Sequence, residues 1–424
     1  MEPLGPRDVK HVKHVSLPAS NGSSFSPDQN TSVLRFTVPN SIACLRSGSL
    51  RLMGDATVTY DGASPAQNEA VQFNNWAGLQ SLISQVDIYS LKSGVLLESL
   101  KNYGQYMTMK NSAGMGAIDL DYQIYHENRA ATGQYFTRVA SQASIPFSIE
   151  LMSGLSHSID NTPLDLIGGL KIQITLNQNN QFLQKAAALT NQASVALTNV
   201  RLTATMVTPT PMWAAKAAES FVKSGAVVPF PSFEVFNSQV TADSQSISKN
   251  ISYSRLRSLY WSYLTASDSN SATSDSFKLQ PKDVTRLALS MDGILKPVKY
   301  EISAPSIYSG IIAEAYKVTS APLARHYLEA VSLSDRPTLD RVYTNIARAN
   351  FNPSNNAGTP ASIQPTFGNG YLIDDEGASF VNSTMQLAIE AASGTFSSNT
   401  LLYMVEDYVA AMRIQPSGMI SVSH

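Results

Sequence analysis

The feature that most limits what this chain folds into is a period of two. In Leu170-Lys171-Ile172-Gln173-Ile174-Thr175-Leu176 every second residue is apolar and the ones between are polar. Side chains alternate across a strand, so such a segment buries one face and wets the other. The same alternation runs through Leu50-Arg51-Leu52, Ala56-Thr57-Val58-Thr59-Tyr60, Val86-Asp87-Ile88 and Val200-Arg201-Leu202-Thr203-Ala204-Thr205-Met206, until Pro209 and Pro211 stop it. It resumes in Leu287-Ala288-Leu289-Ser290-Met291, ahead of the turn pair Asp292-Gly293, and again in Met385-Gln386-Leu387-Ala388-Ile389 and Met412-Arg413-Ile414. The pattern predicts an all-β, mainly antiparallel chain of sandwich type.

One segment breaks the period. Pro211-Met212-Trp213-Ala214-Ala215-Lys216-Ala217-Ala218-Glu219-Ser220-Phe221-Val222-Lys223-Ser224-Gly225 has proline at its start, alanines within and glycine at its end, which spells a short helix. It reads either as a connector between domains or as an ordinary surface helix, because Trp213, Ala217 and Phe221 at spacing four fix only that one face is buried. A single core stops growing near roughly 250–300 residues, so a chain of 424 residues favours two domains, here 31–210 and 226–424 joined by 211–225. Leu79-Gln80-Ser81-Leu82 is echoed by Leu256-Arg257-Ser258-Leu259, a faint sign of duplication. The second block also holds a stretch of other character around 311–370, partly helical over 311–331 and loop-like over 350–370, which predicts an insertion. Residues 1–30 contain Pro3, Pro6, Pro18 and Pro27 and the basic run Lys10-His11-Val12-Lys13-His14, with no apolar period. They predict a flexible arm, either a frayed terminus or a segment that orders against a neighbouring subunit.

The chemistry-bearing residues exclude more than they suggest. Thirty Lys+Arg against 32 Asp+Glu leave a net charge of -2, so no global field draws the chain to nucleic acid or to an anionic membrane. Cys44 is the only cysteine, which excludes an intramolecular disulfide framework and cysteine-rich zinc modules. His126-Glu127-Asn128-Arg129-Ala130 begins like a zinc-protease helix but lacks the second histidine, and Asp119-Leu120-Asp121 lacks the remaining ligands of a calcium loop. Gly154-Leu155-Ser156-His157-Ser158 resembles a nucleophile elbow until serine replaces its last glycine. His326 reads as a residue on a helix and Asp374-Asp375-Glu376 as a solvated loop. Tyr89, Tyr103, Tyr106, Tyr260, Trp261 and Tyr263 sit in or beside expected strands, where aromatics serve packing more often than ligands. No catalytic, cofactor-binding or metal-binding residue is assigned. Neither a signal peptide nor a run of roughly 18 apolar residues is visible, which predicts synthesis in the cell interior, and the Asn-X-Ser/Thr matches at Asn21, Asn30, Asn250 and Asn382 are read as chance.

Phe73-Asn74-Asn75-Trp76-Ala77-Gly78-Leu79-Gln80-Ser81-Leu82-Ile83-Ser84-Gln85-Val86-Asp87-Ile88-Tyr89, followed by Leu97-Glu98-Ser99-Leu100-Lys101-Asn102-Tyr103, resembles the first barrel of the double jelly-roll major capsid proteins of virophages, polinton-like viruses and adintovirus-type elements. Pro163-Leu164-Asp165-Leu166-Ile167-Gly168-Gly169 is similar to a later part of that barrel. In the second half, Phe367-Gly368-Asn369-Gly370-Tyr371, Met385–Ile389, Leu401-Leu402-Tyr403-Met404-Val405 and Ile414-Gln415-Pro416-Ser417-Gly418-Met419-Ile420 follow the order of barrel two. The resemblance implies two consecutive eight-stranded jelly-roll barrels with short helices in the connecting loops. It implies a homotrimer whose six barrels make a pseudo-hexameric capsomer, neighbouring capsomers and penton or minor capsid proteins as partners, and the virion shell of an icosahedral DNA virus as location. No sequence-specific nucleic acid binding and no enzyme activity are implied, and an inner membrane is left open. Two other readings compete: a β-sandwich glycan-binding or adhesin module, and a glycan-active enzyme, which requires two convergent carboxylates.

Overall fold

The structure, a computed structural model, describes residues 4–28, 32–63, 71–73, 78–114, 144–157, 162–185, 190–274, 276–277, 279, 284–295, 300–301, 369–372, 377–396 and 399–424. The expected insertion at 311–370 lies outside them, apart from the short strand at Asn369, and so do His126, Asp119, Asp121, His326 and Asp374-Asp375-Glu376.

Strands up to residue 209 form one set: β1 (Val9–Pro18), β2 (Ser24–Phe25), β3 (Val33–Val38), β4 (Cys44–Leu45), β5 (Arg51–Tyr60), β6 (Val71–Phe73), β7 (Ile83–Ser90), β8 (Leu96–Lys101), β9 (Ile145–Glu150), β10 (Thr162–Pro163), β11 (Leu170–Leu176), β12 (Leu183–Lys185) and β13 (Ala193–Pro209). They make a seven-stranded, a four-stranded and a two-stranded sheet. The second set is β14 (Ala226–Val240), β15 (Ser244–Thr265), β16 (Val284–Met291), β17 (Ile294–Leu295), β18 (Tyr300–Glu301), β19 (Asn369–Leu372), β20 (Ala378–Ala391), β21 (Thr400–Ile414) and β22 (Ile420–Ser423), all in one nine-stranded sheet. Every pairing is antiparallel, and among the described residues no strand pairing joins the two sets.

Alternation fixes register. β11 is buried at every second residue, and its Ile172 lies between Phe36 of β3 and Ile88 of β7, all three within the core. A slip of one residue would turn that whole row to solvent. In the second set β15 changes partner along its length: Ser244–Leu256 lies against β20 and Leu256–Thr265 against β21. Register shifts near residues 251–258 mark where it bends, and one long strand thereby curls a single sheet around its own core. Asp292 and Gly293 both have positive φ, 51° and 77°, so the predicted turn joins β16 to β17 as a primed hairpin.

Among the described residues the α-helices are α1 (Tyr103–Gly114), the single turns α2 (Leu164–Ile167) and α3 (Asn179–Phe182), and α4 (Pro211–Ser224). α4 is the helix read at 211–225. The Thr210 hydroxyl accepts from the Trp213 N–H, Pro211 starts the helix, and Gly225, at φ 70°, donates its N–H to the Phe221 carbonyl. Its buried anchor is Trp213. The segment Pro163–Gly169 folds as α2, ended by Gly168 at φ 78°.

Two expectations need correction. Residues 9–18 of the expected arm form β1, paired with β13 from Val9↔Pro209 to Pro18↔Arg201. Val15, Leu17 and Ala19 pack against the core, a short apolar alternation that the preceding basic run masks in sequence. Tyr103 and Tyr106 belong to α1, not to strands, although both are buried as expected of packing aromatics.

Candidate functional site

The most chemically organised place in the molecule is where the two sets of strands meet. β14 is an edge strand; among the described residues it pairs with β21 alone. A fifteen-residue edge invites foreign strands unless something covers it. Segments of the first set supply the cover.

β8 ends at Lys101, and Asn102, at φ 52°, turns the chain into α1. That turn points two side chains, Asn102 and Tyr106, at the second set. Asn102 Nδ2 donates to the Val235 carbonyl of β14 at 3.4 Å. The Tyr106 ring stacks on Phe233 of β14, centroids 3.4 Å apart. The Tyr103 hydroxyl accepts from the Met152 N–H at 2.9 Å and so holds the following turn in place. Farther along, Lys185 N–H donates to the Ala272 carbonyl at 2.8 Å, a second tie between the sets.

Glu98 is the centre of the contact. Its Oε1 accepts from the Gly154 N–H and from the Ser232 hydroxyl of β14, each at 2.9 Å. Oε2 accepts from the Ser153 hydroxyl at 2.7 Å and the Leu155 N–H at 3.1 Å. The Ser153 oxygen in turn accepts from the Ser156 N–H at 3.2 Å, which aims its own proton at Glu98. Among the described residues no Lys, Arg or His forms an ion pair with Glu98. Burial pushes this carboxyl above the usual range, against the opposing pull of Ser153, Leu155, Ser232 and Gly154. Gly154 is required by closeness: a Cβ there would overlap the Pro231 carbonyl oxygen of β14. Four donors fill the carboxylate and protein surrounds it, so Glu98 is built to hold two parts together and has no lone pair to offer a substrate.

The sequence candidates resolve accordingly. The elbow-like Gly154-Leu155-Ser156 is the turn that grips Glu98, and the Ser156 hydroxyl donates to the Ser153 carbonyl at 2.9 Å within a buried pocket. The Cys44 thiol is buried, and burial, with Asp165 nearby, pushes it up to about 12, which leaves it unreactive. His14 Nδ1 meets the Thr205 hydroxyl at 3.0 Å. Among the described residues no three His, Cys, Asp or Glu side chains stand close enough to hold a metal. Sequence reading gave Glu98 no role. Its signal was a lone acid between Leu97 and Ser99 in a strand, with all its partners distant in sequence.

No protein-family model matches the sequence, and no curated protein matches it either. Solved structures do match. The quasi-atomic model of the PBCV-1 virus capsid aligns over 100% of this chain and 99% of its own, with a TM-score of 0.57 at 10% identity. The Faustovirus major capsid protein aligns over 97% and 92%, with a TM-score of 0.58 at 10% identity. The cryo-EM structure of the Sputnik virophage aligns over 98% and 89%, with a TM-score of 0.55 at 11% identity. The chain has the double jelly-roll fold. At such identities the likeness is one of fold, and in this double jelly roll the Glu98 clamp and the covered β14 edge lie where the first set of strands meets the second.

Proposed function

We propose that this chain is a major capsid subunit, a structural protein rather than an enzyme, that trimerises into pseudo-hexameric capsomers and tiles the icosahedral shell of a DNA virus or virus-like element. The observation that carries the reading is the whole-length likeness to capsid structures, with both halves of the chain matched in one alignment. We assign 9–210, with β1 and β2 included, and 226–424 to the two jelly rolls, 211–225 to the helical connector, and the virion shell as location. Two barrels per chain make six in a trimer, the symmetry a near-hexagonal tile requires. A rigid junction serves this purpose, because a hinge between barrels would blur the angle at which neighbouring tiles meet. With only 15% charged residues, broad subunit contact immobilises few long charged side chains. The partners of this reading are other copies of the chain, in the trimer and in neighbouring capsomers, and penton or minor capsid proteins. No sequence-specific contact with nucleic acid is assigned, and a net charge of -2 leaves the genome to other components or to an inner membrane.

Light scattering on the purified protein, with negative-stain imaging of the same peak, tests the proposal. A species of three times 45.8 kDa with hexagonal outlines, or closed shells, is the expected result. A monomer that persists at high concentration would overturn it and direct attention to a glycan-binding β-sandwich.

A further inference from the structure

The second half buries an acidic group that the junction does not use. Glu406 of β21 is fully buried and lies directly opposite Glu234 of β14 across the sheet. Like charges at such a position repel. Lys249 Nζ stands 2.7 Å from Glu406 Oε2 and 3.2 Å from Glu234 Oε1. The Tyr253 hydroxyl is bonded to Glu406 Oε2 and, at 2.9 Å, to Glu234 Oε2. Glu406 Oε1 is buried without a hydrogen-bond partner among the described residues.

With both acids ionised this arrangement is incomplete. A tyrosine hydroxyl has one proton to donate, yet here it faces two carboxylate oxygens. One lysine would face two negative charges, and an ionised oxygen would be left orphaned in the core, where it costs far more than a neutral one. A proton on Glu406 Oε2 removes the first two difficulties and lessens the third, because the orphaned oxygen is then neutral. That O–H donates to the Tyr253 oxygen while its oxygen still accepts from Lys249 at 2.7 Å, Tyr253 donates onward to Glu234 Oε2, Lys249 balances the single remaining carboxylate, Glu234, at 3.2 Å, and Glu406 Oε1 becomes a neutral carbonyl oxygen.

We propose that Glu406 holds a proton and exchanges it with solvent through the Tyr253 hydroxyl and Glu234, whose side chain is 55% exposed. On release, the Glu406 O–H bond breaks, Tyr253 takes that proton on its oxygen while passing its own to Glu234, and Glu234 gives it to water; one proton leaves and one carboxylate is gained. The electrostatics agree with this assignment. Burial pushes Glu406 up despite Lys249. Burial pushes Glu234 up as well, but the Lys249 ammonium and the Tyr253 hydroxyl outweigh it and bring Glu234 below the usual range. The other groups facing the cluster are Tyr408 of β21, stacked on Tyr253 at 4.6 Å; His424, edge-on to Tyr408 at 5.6 Å; and Glu98 of the first half, which reaches Tyr408 through the Ser232 position. Loss of this proton leaves a charged Glu406 on β21 directly opposite Glu234 of β14, the strand that also carries the Glu98 contact.

The sign follows from linkage. A carboxyl that binds its proton more tightly folded than unfolded gives stability that falls as pH rises from the ordinary glutamate range through the site's own pKa. Infrared spectroscopy of the full-length protein at neutral pH, together with pH-dependent thermal unfolding, tests the proposal. The wild type should show the C=O stretch of a protonated buried carboxyl, lost in Glu406→Gln and retained in Glu234→Gln. Glu406→Gln, whose amide replaces the acid, should unfold near the wild-type midpoint at neutral pH and lose part of the alkaline decline, whereas Glu406→Ala should unfold well below both. Absence of the acid band in the wild type would overturn the proposal, as would a Glu406→Gln midpoint as low as that of Glu406→Ala. The assay reads a proton and not assembly, so it stands or falls separately from the capsid reading.

Discussion

At the scale of single residues, Glu98 and Gly154 decide whether the halves meet. Glu98→Ala removes the acceptor of two hydroxyls and two backbone N–H groups in a buried site and should cost about 3 kcal/mol or more. Glu98→Gln keeps the volume but turns an N–H₂ toward donors, for a loss of about 1–3 kcal/mol. Chemical denaturation followed by tryptophan fluorescence measures both, and equal stability of Glu98→Ala and wild type would remove the clamp from the account. Gly154→Ala should be at least as damaging, since the new methyl has nowhere to go but into the β14 backbone at Pro231. Little of this was legible beforehand. Leu97–Tyr103 stood out as a pattern shared with capsid proteins, but the partners of Glu98 lie 55, 56, 57 and 134 positions away, and no local rule links such positions.

Among elements, legibility follows how far an element's cause lies within its own residues. β11, and β20 from Ser383 to Ile389, carry their burial pattern as alternation, and α4 carries its cap, its proline and its terminal glycine in the sixteen residues from Thr210 to Gly225, so these could be read directly. α1 could not: Tyr103–Gly114 mixes Thr, Asn, Ser and Gly without an apolar stripe, and its place is set by Asn102 and by what it packs on. β1 was hidden for a related reason, since its partner is a strand almost two hundred residues later in the chain. Two outcomes follow. Thr210→Ala, which deletes the α4 cap, should lower stability by about 1 kcal/mol in the same denaturation assay. Deleting residues 1–18 removes β1 and bares the β13 edge from Arg201 to Pro209; light scattering should then show loss of soluble, monodisperse protein. A truncated protein that stays monodisperse and as stable as the full chain would return these residues to the role of a dispensable arm.

Over the whole molecule the question is whether two jelly rolls behave as one body. The apolar core is continuous: buried residues from Phe25 to Met206 and from Ala226 to Ile420 belong to a single contact cluster. Through the junction runs a polar line from Glu98 to Ser232 and on to Tyr408, the residue facing Ser232 across the sheet. Contact of both kinds should couple the halves, so the full chain should unfold in one calorimetric transition, while Glu98→Ala should split or broaden it by letting the second half open on its own. The halves expressed apart carry the same logic further. Residues 226–424 alone present the uncovered β14 edge, with its Phe233 ring and the Pro231 and Val235 carbonyls that Tyr106, Gly154 and Asn102 covered, and should aggregate. Residues 1–210 alone retain three of the four Glu98 donors and should remain the more soluble piece. If mixing the two pieces restores a species with the calorimetric midpoint of the intact chain, the junction holds the halves by its own contacts and the helix at 211–225 serves only to keep them at high local concentration. If both pieces are separately stable and do not associate, the coupling argued from Glu98 is wrong, and the connector alone keeps the barrels together.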